Sequence, residues 1–297
     1  MPLSARMGPE AVRAREPVIE VRDLTMAYGD RVVMRDLTFD VMRGDIFIIM
    51  GGSGCGKSTL LKHMVGLLRP AAGRIMIMGS DIWAQDEDER LETLKDCGVM
   101  YQGGALWSSM TLAENVALPL QLYSTLPQDQ IEEISRLKLG LVGLSGFEEY
   151  YPSEISGGMR KRAGLARAMA LDPDILFLDE PSAGLDPISS SSVDELIINI
   201  NRNLGTTIVV VTHELDSIFT IGTNSVFLDA DTRTMGPTGH PRRLLEESDY
   251  ENLILFLTRG RGRSAGAAGT CTPTEGISPS GEGKEGAPST AAGEERN

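Results

Sequence analysis

The chain is expected to fold as an α/β domain built on a mainly parallel β-sheet. Two observations predict this. Short runs of almost continuous apolar residues, "DIFIIM", "DILFLDE" and "TTIVVVTHE", read as strands covered on both faces. Stretches with helical spacing follow them, and such alternation is the signature of a parallel sheet with crossover helices. A third feature lies between the first of these strands and its helix: the turn "MGGSGCGKST" at residues 50–59.

The elements follow in order. The first residues, 1–16, are polar with Pro, Gly and Arg, and are expected to be flexible. "PVIEVRDLTMAY" alternates as a strand does. "DIFIIM" leads into the glycine turn, and "KSTLLKHMVGLL" continues as a helix. "GRIMIMGSDI" reads as a strand and turn, and "DEDERLETLKD" as a solvated acidic helix. From residue 102 to residue 151 the pattern is mostly helical, as in an insertion between two halves of a sheet. "SGGMRKRAGLARAMAL" is a helix, followed by the strand "DILFLDE". "SSSVDELIININRNLG" is a helix with Gly205 as its stop. After "TTIVVVTHE", "SVFLDADTRTMG" suggests a hairpin and "RRLLEESDYENLILFLTRG" one or two last helices. From residue 260 the composition turns to Gly, Ala, Ser, Thr, Pro and Glu, which predicts a disordered tail over 260–297.

Bulk properties narrow the function. With 297 residues, 41% apolar and 24% charged, the chain has material for a substantial core. A net charge of −14 argues against nucleic acid as a partner, because phosphate contacts need a basic face. The three cysteines, Cys55, Cys97 and Cys271, have no metal-ligand spacing, and a reducing compartment is expected. No apolar run reaches the length of a membrane span, and the N-terminal residues lack the apolar core of a signal peptide.

The glycine turn fits G-x-x-x-x-G-K-[ST], with Gly51, Gly56, Lys57 and Ser58 in the fixed places. Its backbone N–H groups can point at an anion, and the strand-loop-helix setting adds a helix N-terminus. Gly51, Gly52, Ser53, Gly54, Cys55, Gly56, Lys57, Ser58 and Thr59 are therefore candidate nucleotide-binding residues, with Lys57 against the β- and γ-phosphates and Ser58 on Mg²⁺. A redox role for Cys55 competes with its being a small loop residue, the blander and favoured reading. Asp179 ends a buried apolar strand, where a carboxylate can hold Mg²⁺. Glu180 follows it and is the candidate general base.

"ISGGMRKRAGLARA", ahead of the "ILFLDE" strand, resembles the signature motif of the ATP-binding-cassette (ABC) ATPases, with Ile155 and Met159 where Leu and Gln are usual. Other landmarks of that family fall in order. Tyr28 fits the aromatic that stacks on adenine, with a buried strand tyrosine as the other reading. Gln102 resembles the glutamine linking Mg²⁺ to the helical insertion. "SAGLD", ending at Asp186, resembles the loop that crosses the dimer interface, and His213 the histidine that reaches the γ-phosphate.

The resemblance spans about residues 18–240. It implies a P-loop NTPase fold of ABC type, with the parallel sheet, a smaller antiparallel β part and a helical subdomain at about 102–172. The whole domain would run over 17–240, with a helical extension at 241–259. It implies ATP hydrolysis with Mg²⁺, catalysed with Glu180, His213 and Gln102, the metal being held by Ser58, Gln102 and Asp179. It also implies that a second copy closes Ser156, Gly157 and Gly158 onto the bound ATP.

"MYQGGALWSSMTLAENVALPL", Met159 and the basic "RKR" look closest to the ATPases of MCE-type (Mla-like) transporters, which move phospholipids between bacterial inner and outer membranes. That likeness implies two membrane permease subunits, a periplasmic MCE-domain protein and often a small STAS-domain protein. It would put the chain on the cytoplasmic face of the inner membrane. Leu106, Trp107 and Met110 would then suit a groove for a partner's helix, or Trp107 packs inside the helical part. The rival readings are an importer or exporter ATPase for amino acids, metals or lipoproteins, a non-transport ABC protein, and a nucleotide-binding regulator without turnover.

Overall fold

Strand β3 (Ile46–Gly51) lies at the centre of a six-stranded sheet, and every one of its residues is buried. The computed structural model describes residues 16–262. The expected flexible N-terminus and disordered tail, and Cys271, lie almost wholly outside the described residues. The strands of this sheet are ordered β10-β9-β3-β8-β7-β6. They comprise β6 (Cys97–Met100), β7 (Ile175–Asp179), β8 (Thr207–Val211), β9 (Asn224–Asp229) and β10 (Thr234–Thr238). All neighbours are parallel except β9 and β10, which form the expected hairpin.

A second, wholly antiparallel sheet runs in the order β2-β1-β4-β5. It is made of β1 (Pro17–Tyr28), β2 (Arg31–Met42), β4 (Ala72–Ile77) and β5 (Ser80–Asp81). The twelve-residue β2 and the four-residue β6 have no counterpart in the reading of the sequence. In β2 the alternation is broken by register shifts against β1, and Asp36 has a φ of 55°. In β6 only Gly98 and Met100 are buried, too few to make a period.

The parallel sheet alternates its side chains between two cores. Phe47, Ile49, Phe177, Val209 and Val211 face the antiparallel sheet and α1 (Lys57–Met64). Ile48, Met50, Leu176, Leu178, Ile208 and Val210 face the opposite side. There they meet α5 (Gly157–Ala168), α6 (Pro187–Leu204), α7 (Leu215–Ile221), α8 (Pro241–Glu247) and α9 (Glu251–Leu257). α6 stops at Gly205, as expected. The acidic α2 (Glu87–Lys95) buries no residue, in keeping with a solvated helix.

A third core belongs to the helical insertion. Leu112, Val116 and Leu120 of α3 (Leu112–Tyr123) pack against Ile131 and Leu139 of α4 (Gln128–Leu141). Thr111 and Glu114 cap α3 reciprocally, each side chain bonded to the other's backbone N–H, which fixes where the helix begins. Ala163 and Ala166 of α5 close this core, so α5 joins the insertion to the sheet.

Candidate nucleotide site

The turn between β3 and α1 forms the floor of an open cavity of about 750 Å³. Its conformation depends on its glycines. Gly51 has a φ of 154°, and a Cβ there would lie 2.5 Å from the Leu228 carbonyl oxygen. Gly56 has a φ of 102° and backs onto Val33, 3.0 Å from where a Cβ would stand. Any other residue would strain the backbone and displace β9 or β2.

Ser53, Gly54, Cys55, Gly56, Lys57, Ser58 and Thr59 line the cavity together with Tyr28, Gln102, Glu180 and His213. Residues far apart in sequence are thus brought to one place. Tyr28 is 49% exposed, which excludes the buried-strand reading and leaves its ring open at the cavity mouth. The Lys57 ammonium donates to the carbonyl oxygens of Gly51 and Gly52, at 2.9 and 3.0 Å. Cys55 is buried beneath the loop, and burial pushes its thiol up, so it is poorly suited to redox sensing.

Ser58 donates to Asp179 Oδ1 at 3.2 Å. Burial pushes Asp179 above the usual carboxylate range; the Ser58 hydroxyl opposes this, and neighbouring Glu180 adds to it. Ser58 and Asp179 are hard oxygen donors. Among the described residues there is no cluster of three or more His, Cys, Asp or Glu able to hold a metal. A site with so few protein ligands fits Mg²⁺, which takes its other oxygens from phosphate and water.

Glu180 follows β7 with a φ of 51°, a backbone conformation uncommon for a non-glycine residue. Two bonds hold it there. Its N–H donates to the Val211 carbonyl at 2.8 Å, and the Lys161 ammonium donates to its own carbonyl at 3.0 Å. His213 Nδ1 lies 2.7 Å from Glu180 Oε1. A carboxylate only accepts, so Nδ1 carries the hydrogen. Glu180 Oε2 is buried and has no hydrogen-bond partner among the described residues.

Ser156, Gly157 and Gly158 do not line this cavity. Ser156 caps α5, its hydroxyl accepting from the Met159 N–H at 3.2 Å. Gly51 and Gly52 are also outside the cavity lining, although Gly52 borders a second cavity with Ser53 and His213. Reading the sequence missed Arg31 and Arg233, which line the cavity beside Tyr28. No local pattern marks them: Arg31 is the first residue of β2, paired with Tyr28, and Arg233 sits in the turn between β9 and β10. His63 is fully buried and bonded through Nδ1 to the Leu68 carbonyl.

A family model described as ABC transporter matches residues 34–183. The chain belongs to the ABC transporter family. It is an ABC ATPase, the ATP-binding component of a transporter. It is 42% identical over 265 residues to the probable ribonucleotide transport ATP-binding protein mkl of Mycobacterium leprae, covering 89% of this chain and 75% of that one. It is 40% identical over 240 residues to the intermembrane phospholipid transport system ATP-binding protein MlaF of Haemophilus influenzae, covering 81% and 90%.

Among solved structures, this ABC ATPase resembles the dimeric post-hydrolysis state of the cassette MJ0796 bound to ADP and Pi. The TM-score is 0.68 at 26% identity, covering 75% of this chain and 98% of that one. It also resembles cbiO1 of Clostridium perfringens, with a TM-score of 0.71 at 26% identity, covering 82% and 97%. Among the described residues of this ATPase, no helix is long and apolar enough to cross a membrane.

Proposed function

We propose that this ABC ATPase energises phospholipid transport between the inner and outer membranes of a bacterium, working from the cytoplasmic face of the inner membrane. The likeness to MlaF over 90% of that protein's length carries the cargo assignment. In this reading two copies bind two ATP molecules between them. They act with two membrane permease subunits, a periplasmic MCE-domain protein and a small STAS-domain protein, and without nucleic acid. Trp107 is 58% exposed, and buried Asn115 holds its backbone N–H at 2.7 Å. That exposed indole supports a groove for a helix of the permease.

The residue roles follow from the cavity. The glycine loop and Lys57 bind the phosphates, and Tyr28 stacks on adenine. Ser58, Asp179 and Gln102 would hold Mg²⁺, which screens phosphate charge when bound. Glu180 accepts the proton of the attacking water through Oε2, the one oxygen of its carboxylate without a protein partner. His213 orients that carboxylate and reaches the terminal phosphate. Ser156, Gly157 and Gly158, which do not line their own cavity, complete the site of the second copy. Closure on ATP and reopening after hydrolysis form a two-state switch that the nucleotide drives.

A second reading, another small-molecule cargo, is favoured by the names of other relatives. One is mkl; another is the methionine import protein MetN of Brucella abortus, 38% identical over 213 residues, with 58% of that protein covered. Affinity purification from detergent-solubilised membranes decides between them. Co-purifying permease and MCE-domain chains with bound phospholipid are expected. A substrate-binding protein for a polar solute in their place would overturn the phospholipid reading.

A further inference from the structure

A buried polar chain lies behind the cavity and takes no part in the roles above. Asp194, on α6, is 5% exposed. Ser217, on α7, donates to Asp194 Oδ2 at 2.8 Å. Ser182, in the segment that follows Glu180, has its hydroxyl oxygen 3.2 Å from that of Ser217. The one hydroxyl hydrogen of Ser217 points at Asp194, so Ser182 is the donor in this second bond. Both serines are buried, at 3% and 2% exposure.

This arrangement is unfavourable to stability. Asp194 Oδ1 is buried with no hydrogen-bond partner among the described residues. Burial pushes the carboxyl up to about 6; Ser217 pulls the other way, and Asp216 adds to the rise. Its surroundings are acidic. Glu195 of α6, Glu214 and Asp216 share with it a cavity of about 340 Å³. Arg259 lies 3.9 Å from Asp216. An apolar side chain in this place would avoid the desolvation cost of a buried carboxylate.

The position of the chain supplies a reason for it. It joins three pieces: the segment from Pro181 to Asp186, the helix α6 that this segment leads into, and α7, which starts two residues after His213. Glu180 immediately precedes the first piece and His213 lies two residues before the third, and those two side chains meet at 2.7 Å. Lys161 holds the first piece from the opposite side, donating to the carbonyls of Glu180 and Ala183. We propose that Asp194 is a positioning residue for hydrolysis: through Ser217 and Ser182 it ties the segment after Glu180 to the helix after His213, and so keeps the two in register. The proposal rests on the hydrolytic roles given above to Glu180 and His213.

The test uses the full-length chain, alone or with its co-purifying membrane proteins, whichever turns over ATP. Ser217→Ala and Asp194→Ala are expected to lower kcat by about five- to tenfold while the Kd for ATP stays within about twofold. Asp194→Asn still accepts from Ser217 and is expected to restore kcat to within about twofold of the parent. The proposal is overturned if Ser217→Ala keeps the parental kcat, if kcat and Kd worsen together, or if Asp194→Asn is as impaired as Asp194→Ala. Should Asp194→Ala not fold, Ser217→Ala, which removes one hydroxyl, decides alone. Glu180→Gln, run in parallel, separates the two readings. If it turns over normally, the hydrolytic assignment fails. If it is inactive while Ser217→Ala is unimpaired, only the positioning role fails.

Discussion

Glu180 combines an uncommon backbone conformation with a half-satisfied carboxylate, one oxygen on His213 and the other buried without a partner. A general base needs an oxygen that no protein group already occupies. Glu180→Gln is expected to lower turnover by about 10²- to 10⁴-fold with nucleotide affinity retained. Steady-state ATPase assays and equilibrium nucleotide binding check both halves. Lys57→Ala should act differently, weakening ATP binding by roughly tenfold or more through the loss of a charged hydrogen-bond donor to phosphate. Isothermal titration measures that loss, and an unchanged affinity would refute the phosphate assignment.

Asp194 gives a prediction about pH. Its native value of about 6 lies above the ordinary carboxylate value. Between those two values the native state holds a proton that the unfolded chain has released. Stability attributable to this group therefore falls as pH rises through that window and stays lower above it. Asp194→Asn removes the effect. Its melting temperature relative to the parent should be higher at pH 8 than at pH 4, as read by thermal denaturation at both.

At the scale of elements, tight contacts position the site. β6 forms the edge of the parallel sheet and passes close under α5 at Gly98. A Cβ at that position would lie 2.0 Å from the Ala168 carbonyl oxygen and 2.7 Å from a Leu176 methyl group. Gly98→Ala should force β6 and α5 apart at a cost on the order of 1–3 kcal/mol, measured by urea denaturation. Strands with strong local patterns were legible in the sequence: β1, β3, β7 and β8 stand where the apolar runs predict them. β2 and β6 were not. Bulges interrupt the alternation of the first, and the second is held by its neighbours and has little pattern of its own. α7 was also unread: its seven residues stand alone between two strands and give fewer than two turns of periodicity, whereas the equally short α8 and α9 follow one another in a longer run.

At the scale of the whole molecule, the C-terminal helices belong to the core. Leu244 of α8 and Leu253 and Leu257 of α9 are buried against the parallel sheet. Tyr250 and Asn252 donate to Asp229 at 2.6 and 2.9 Å, anchoring α9 at the end of β9. Whether this segment is needed for the fold is testable by truncation, for instance after Met235. That cut would fall inside β10 and sever the hairpin. Truncation after His240 is the cleaner test. It removes three buried leucines worth about 2 kcal/mol each and should lower the melting temperature markedly. A chain as stable as the parent would show that the extension is dispensable to the fold.

The chemistry of this protein was written locally. A glycine turn, an apolar strand ending in two carboxylates, a serine-glycine helix start and a histidine after a strand are each readable within a dozen residues, because phosphate binding and strand burial act on neighbours in the chain. The contacts made across the fold were decided only by tertiary structure. Strand pairing carries Arg31 and Arg233 to the cavity, backbone strain and packing leave one oxygen of Glu180 without a protein partner, and α6, α7 and the segment after Glu180 are joined through Asp194 and its two serines. These depend on contacts between residues distant in sequence, and no short-range pattern records such contacts.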